Sequence, residues 1–305
     1  MARPLLAGVG PGSITAAGVS DALRPVQGHP MAKAAIEAAV LDAQLRAMNR
    51  SLAAALGATR DRVPAGVAVG IAGSIDELLT TVGRHLDTGY RRIKLKIAPG
   101  HDLEPVRAIR DRFGDGFLLT ADANGAYTLA DASALAALDP FGLSLIEQPL
   151  AADDLTGHAE LARRLSTPIC LDESIASPSD ARRALDAGAC SCICVKPGRV
   201  GGMLAAVEIH DLCMARGADA WVGGMLETGI GRAANLALAA LPGFTLPGDL
   251  SATDRYFARD LTAPVVVDDG HIAVPTGPGL GIALDTGFLD EVTTWRTTLP
   301  IRPES

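Results

Sequence analysis

Apolar residues along this chain gather into short runs of five or six, separated by longer stretches with helical spacing. Eight runs read as strands: 67–72 (VAVGIA), 92–97 (RIKLKI), 117–122 (FLLTAD), 143–147 (LSLIE), 168–172 (PICLD), 191–196 (SCICVK), 219–224 (DAWVGG) and 244–249 (FTLPGD). The stretches between them carry readable helix signals. Ser74 with Glu77 three residues later forms a capping box, and Gly188 ends the helix that begins at SPSD. Alternating β and α units in this number predict a closed (β/α)8 barrel of the TIM type. An open doubly wound sheet is the alternative, but no G-x-G-x-x-G motif opens a first unit. Residues 31–56 are rich in helix formers at amphipathic spacing and predict one long lead-in helix closed by Gly57. After about residue 255 the pattern changes. PVVVDDGHIAVP, at 264–275, predicts a β-hairpin around Asp269-Gly270 that packs outside the barrel. The chain therefore divides into 1–60, a barrel over 61–255 and a C-terminal segment over 256–305.

Charge changes this picture at five places. Lys96, Asp122, Glu147, Asp172 and Lys196 stand 26, 25, 25 and 24 residues apart, each at or near the end of an apolar run. That interval suits one strand, one helix and two loops. A buried charge is costly unless paired or metal-bound, so the recurrence predicts a site assembled at the C-terminal ends of successive strands. A single Asp at a strand end is commonly a cap, and a single Lys-x-Lys commonly a surface strand. Five such residues at one period are not explained that way. Lys94 and Lys96 share a strand face and should both point inward. The three acids suit Mg2+, a hard cation with oxygen ligands, Mn2+ being the alternative. A cation flanked by two lysines suits removal of a proton α to a carboxylate. For that role a lysine pKa must be lowered toward neutrality, by neighbouring positive charge and partial burial.

Bulk composition adds less. A hydrophobic content of 48% supports an ample core, and a net charge of −8 disfavours nucleic acid and anionic membranes as partners. No apolar stretch reaches transmembrane length. Pro and Gly interrupt the N-terminal apolar residues, so a cytoplasmic location is expected rather than export. Cys190, Cys192 and Cys194 alternate, which predicts three thiols on one face filling the barrel interior rather than a zinc site.

The set KLK (94–96), DAN (122–124), EQP (147–149), DES (172–174) and KPGRVGG (196–202) resembles the enolase superfamily, muconate-lactonizing subgroup, whose Lys base and Mg2+-stabilised enediolate are a known pattern. GGMLETGIGRAANLALAALP (223–242) and TLPGDLSATDRYF (245–257) are similar to the o-succinylbenzoate synthases that also act as N-succinylamino acid racemases. The resemblance implies metal ligands Asp122, Glu147 and Asp172, and acid/base residues Lys96 and Lys196. It places Lys94 near the substrate carboxylate, with Asn124 and the Gly224-Met225-Leu226 backbone at a succinylated small-molecule substrate, and Glu173 hydrogen-bonded near the lysines. In dehydration Lys96 would take the α-proton and return it to the departing hydroxide, with Lys196 stabilising the enediolate. In racemisation the two lysines act on opposite faces. A dipeptide epimerase, a muconate cycloisomerase or a catalytically silent barrel are the alternatives.

Three departures from the family pattern stand out. Ala68 replaces a hydroxyl residue of the first barrel strand, and Cys194 stands where relatives often have Asn. The third is that only the last helical part of the family's capping domain is matched before the barrel. Residues 1–60 are thus expected to be a remnant of the cap, leaving the 264–275 hairpin with an exposed apolar edge. Poor solubility or a tight homo-oligomer is the expected consequence.

Overall fold

The computed structural model describes residues 14–298. Seven parallel strands form one curled sheet in the order β2 to β8: Gly66–Val69, Arg92–Lys96, Leu118–Asp122, Ile146–Glu147, Ile169–Leu171, Cys192–Val195 and Asp219–Val222. Each pairs in register with its sequence neighbour, and the Lys96 to Asp122 to Glu147 rungs lie side by side. Helices Ile75–Asp87, Leu103–Phe113, Leu155–Arg164, Pro178–Asp186 and Met203–Arg216 make connections between strands, and Gly229–Ala239 follows β8. Their apolar faces and the outward residues of the strands make the main core, including Ile93, Leu95, Leu119, Ile193 and Ile209. Among the described residues, no helix is long and apolar enough to cross a membrane.

The eighth predicted strand, 244–249, is not a regular strand. Pro247 has no N–H to donate, so a continuous ladder is broken there. The segment still bonds to both sheet edges. Thr245 and Asp249 donate to Ala220 and Val222 of β8 at 3.1 Å each, and Gly66 of β2 donates to Gly248 at 2.8 Å.

Inside the curl a second cluster brings together Leu145, Cys170, Cys192, Cys194 and Trp221. Two of the three alternating thiols are there as expected. Cys190 is not: it precedes β7 and joins the outer core instead. All five cysteines are buried and unpaired with one another.

Two further expectations need correction. The stretch 31–56 is two helices, Pro30–Ala47 and Leu52–Leu56. Asn49 takes a left-handed conformation (φ 48°) and Ser51 starts the second helix by accepting from Ala54 N, while Gly57 ends it as expected. The 264–275 hairpin does not present a free apolar edge. Only its second arm is a strand, β9 (His271–Ala273), and it pairs antiparallel with β1 (Arg62–Pro64). That pairing buries Val63 and Ile272.

Ser74 caps the Ile75–Asp87 helix by accepting from Glu77 N, but the Glu77 carboxylate reaches Gly73 N rather than Ser74 N. The loop after β5 is held by a buried histidine. His158 Nε2 accepts from Leu150 N–H at 3.2 Å, and its Nδ1 lies 2.7 Å from Asp154 O. Burial depresses the His158 pKa, and burial with Arg255 and Arg84 nearby pushes His85 down to about 4. Between the unfolded-chain value near 6.5 and these lower folded values, the unfolded state binds more protons. Stability is therefore full above about pH 6.5 and is lost as pH falls from there. Thermal melts from pH 7.5 to 5 should show a Tm decline that is shallower in His158→Gln. An equal slope in the variant would exclude His158 as a source.

Candidate active site

The inward side chains of β3 are dictated by strand alternation. Arg92 and Lys94 are 0% and 2% exposed, and both stack over Trp221, at 4.2 Å and 4.9 Å from its ring centroid. Lys94 Nζ lies 2.8 Å from Glu147, 3.1 Å from Asp122 and 2.5 Å from Asp249. Burial opposes the Lys94 charge, but Asp249, Glu147 and Asp122 outweigh it and hold its pKa well above the ordinary value. The opposite effect falls on Glu147. Its burial, with Asp122, Asp172 and Asp249 as like-charged neighbours, outweighs Lys94 and pushes its carboxyl up to about 8.

Lys96, at the mouth, donates to Asp122 Oδ2 at 2.6 Å and also to Asn124 Oδ1. Asn124 Nδ2 in turn donates to Glu173 at 2.9 Å. Lys196 follows β7 and donates to Asp172 Oδ2 at 2.6 Å, and Arg199 pairs with the other oxygen of the same carboxylate. The lowered lysine pKa expected from sequence is not what Lys196 has. Burial and Arg199 push it down, but Cys194 and Asp172 prevail and hold it above its ordinary value.

Backbone geometry fixes these positions. Asn124 and Gln148, just after two of the acids, have φ of 44° and 41°, local strain of the kind found at functional sites. Gln148 Oε1 accepts from Asp172 N and Ser174 N at 3.0 and 3.1 Å, tying the end of β5 to the end of β6. Gly223 is required by close packing, since a Cβ there would run into the Lys196 stem and Cys194.

The lysines surround a cavity of about 300 Å3. Lys94, Lys96, Asp122, Lys196 and the Gly224-Met225-Leu226 segment line it. Ala68 lines it too, while Asn124 and Glu173 are outside the lining and connect to it through the hydrogen bond from Lys96 to Asn124. Glu147, Asp172 and the Cys194 thiol lie together below, with ligand atoms within 4.8 Å of one another. Asp122 is outside that group, held by Lys94 and Lys96. Glu147 Oε1 is buried without a hydrogen-bond partner. The two carboxylates, one with an orphaned oxygen, fit a hard divalent cation, whereas the Cys194 thiol, kept protonated by burial, is not a ligand of that kind.

Sequence reasoning missed four residues here: Arg92, Asp249, Ser251 and Tyr256. Asp249 pairs with both Arg92 and Lys94, which, although burial opposes its charge, pull its carboxyl down to about 2. Ser251 and Tyr256 line the cavity beside it. Arg92 stands at the same alternation as Lys94 and Lys96, and Asp249 ends the eighth predicted run as the other acids end theirs.

A family model described as enolase C-terminal domain-like matches residues 77–287. The chain belongs to the enolase superfamily. It is 62% identical over 281 residues to an N-succinylamino acid racemase of Amycolatopsis, covering 92% of this chain and 76% of that protein. It is 50% identical over 277 residues to the o-succinylbenzoate synthase of Bacillus subtilis, covering 90% and 74%. Among solved structures it resembles an enolase-superfamily protein from Listeria innocua, with TM-score 0.90, 42% identity, and 95% and 77% of the two chains covered. The superfamily chain thus spans about three-quarters of the length of these relatives.

Proposed function

We propose that this protein is a Mg2+-dependent enzyme that removes the proton α to a carboxylate of a succinylated substrate, as an N-succinylamino acid racemase, an o-succinylbenzoate synthase or both. The observation that carries the reading is the placement of Lys96 and Lys196 at one cavity, on β3 and after β7, with the acid-bearing strands β4, β5 and β6 between them. Asp122, Glu147 and Asp172 are the residues to hold the cation. When bound, it supplies Lewis acidity that offsets charge developing on the substrate carboxylate. Lys96 Nζ removes the α-proton on one face. Lys196 Nζ, which its pairing with Asp172 keeps protonated, delivers a proton on the other and would remove one there once Asp172 is taken up by the cation. Segment 245–249, bonded to β2 and β8, acts as the eighth strand of a closed (β/α)8 barrel, with the described parts of the two end segments, 14–60 and 256–298, as capping structure outside it. The relatives' names support the succinyl group.

The reading is tested by α-proton exchange of N-succinyl amino acids in D2O, followed by NMR with and without Mg2+, alongside dehydration to o-succinylbenzoate. Metal-dependent exchange is the expected result. A folded protein that exchanges neither enantiomer and dehydrates nothing would overturn it.

A further inference from the structure

Most helices that follow the sheet strands start with their own cap. Ser74, Asp102, Asp154 and Ser177 each accept a backbone N–H from the helix they precede. The Met203–Arg216 helix cannot do so, because its N-cap is Gly202, with φ 152°. Its first N–H groups go instead to a carboxylate 166 residues earlier. Glu37 Oε1 accepts from Met203 N at 2.5 Å and from Leu204 N at 3.2 Å. Its other oxygen accepts from Ser20 Oγ at 2.5 Å, and the residue is 2% exposed. A side chain at Gly202 would collide with this carboxylate.

The turn that Glu37 closes begins at Lys196. Lys196 O accepts from Arg199 N and Val200 N at 2.9 and 3.1 Å, and Pro197 O accepts from Gly201 N and Gly202 N at 3.2 and 2.9 Å. No slack remains between the lysine and the capped helix. The same turn carries Arg199, which shares Asp172 with Lys196. Its short helix, Pro197–Val200, packs on the Pro30–Ala47 helix that bears Glu37.

We infer that Glu37 is a positioning residue for Lys196: by clamping the far end of the Lys196–Gly202 turn it sets where that lysine stands at the cavity. The inference rests on the proposed two-lysine reaction for its catalytic consequence, and on hydrogen bonds alone for the geometry. Lys96 belongs to another strand and does not depend on the clamp.

The chain has only four lysines, Lys33, Lys94, Lys96 and Lys196. Protein grown with [ε-13C]lysine therefore gives four side-chain signals, which Lys→Arg variants assign. Full-length Glu37→Ala and the milder Glu37→Asp should move or broaden the Lys196 signal and leave Lys94 and Lys96 in place. Glu37→Gln keeps an acceptor for Met203 N and should stay close to the parent. In D2O exchange, the enantiomer that Lys196→Ala identifies as dependent on Lys196 should lose roughly tenfold or more relative to the other in Glu37→Ala, a displaced base being costly. An unmoved Lys196 signal would overturn the inference. So would equal loss on both enantiomers with all site lysines shifting together, or Glu37→Gln as damaging as Glu37→Ala. If the parent protein exchanges neither enantiomer, the proposed reaction falls and the NMR signals alone decide the clamp. If Glu37→Ala does not fold, Glu37→Asp is read by the same criteria.

Discussion

Lys96→Ala should lower α-proton exchange of an N-succinyl amino acid by roughly 10²–10⁴-fold, the usual worth of a positioned general base. The fold should tolerate the change. The Lys96 side chain is 33% exposed at the cavity mouth, and its partner Asp122 keeps Lys94 at 3.1 Å after it is gone. The loss should therefore appear in kcat with little change in Tm. Lys196→Ala should produce a loss of the same order, directed to the other enantiomer, because the two amines approach from strands on either side of the acids. NMR-monitored exchange of each pure enantiomer separates the two variants. Undiminished exchange in both would remove the lysines from the reaction and leave the site a metal-binding one without an acid/base pair.

Lys94→Met should have its largest effect on stability rather than chemistry. Methionine fills a similar volume over Trp221, but three buried acids lose the cation they share. Removing one partner of a buried ionic group costs about 3–5 kcal/mol. For a chain of this size that corresponds to a Tm loss on the order of 10 °C. Divalent cation should recover part of that loss, since a ligand that binds the folded state stabilises it by mass action. Calorimetry with EDTA and with excess Mg2+ decides the matter. A Tm unchanged in EDTA would mean that Glu147, Asp122 and Asp249 are already neutralised by protons rather than by the lysine.

The legible parts of the molecule were those that repeat. Seven of eight strand runs lie where the short apolar runs put them, because each βα unit must bury the same two faces. The five periodic charges converge because strand ends share one rim. What escaped was set by single residues acting out of pattern. Pro247 breaks the ladder of the eighth run, although the segment still bonds to both edges. Asn49-Arg50-Ser51 interrupts a helix whose composition ran on without a stop. Arg92 and Asp249 were within reach of the rules already applied to Lys94 and Asp172, taken one alternation earlier along β3 and three runs further round. Glu37 had no such signal. It stands in an ordinary helix, and its partner is a glycine-started helix far along the chain. Contacts of that range leave no local trace in a sequence.

Amine chemistry on this protein has an unusual outcome built into it. Three of the four lysines face one cavity, and the fourth, Lys33, is half-buried with its amine bonded to Val26 O at 2.6 Å. The surface meets water with arginine instead, which acylating and aldehyde reagents largely pass over. Coupling to an amine-reactive resin or dye would find few anchoring points, with Lys96 the most open of the cavity amines. Attachment through surface carboxylates or an introduced cysteine would leave the cavity's amines free.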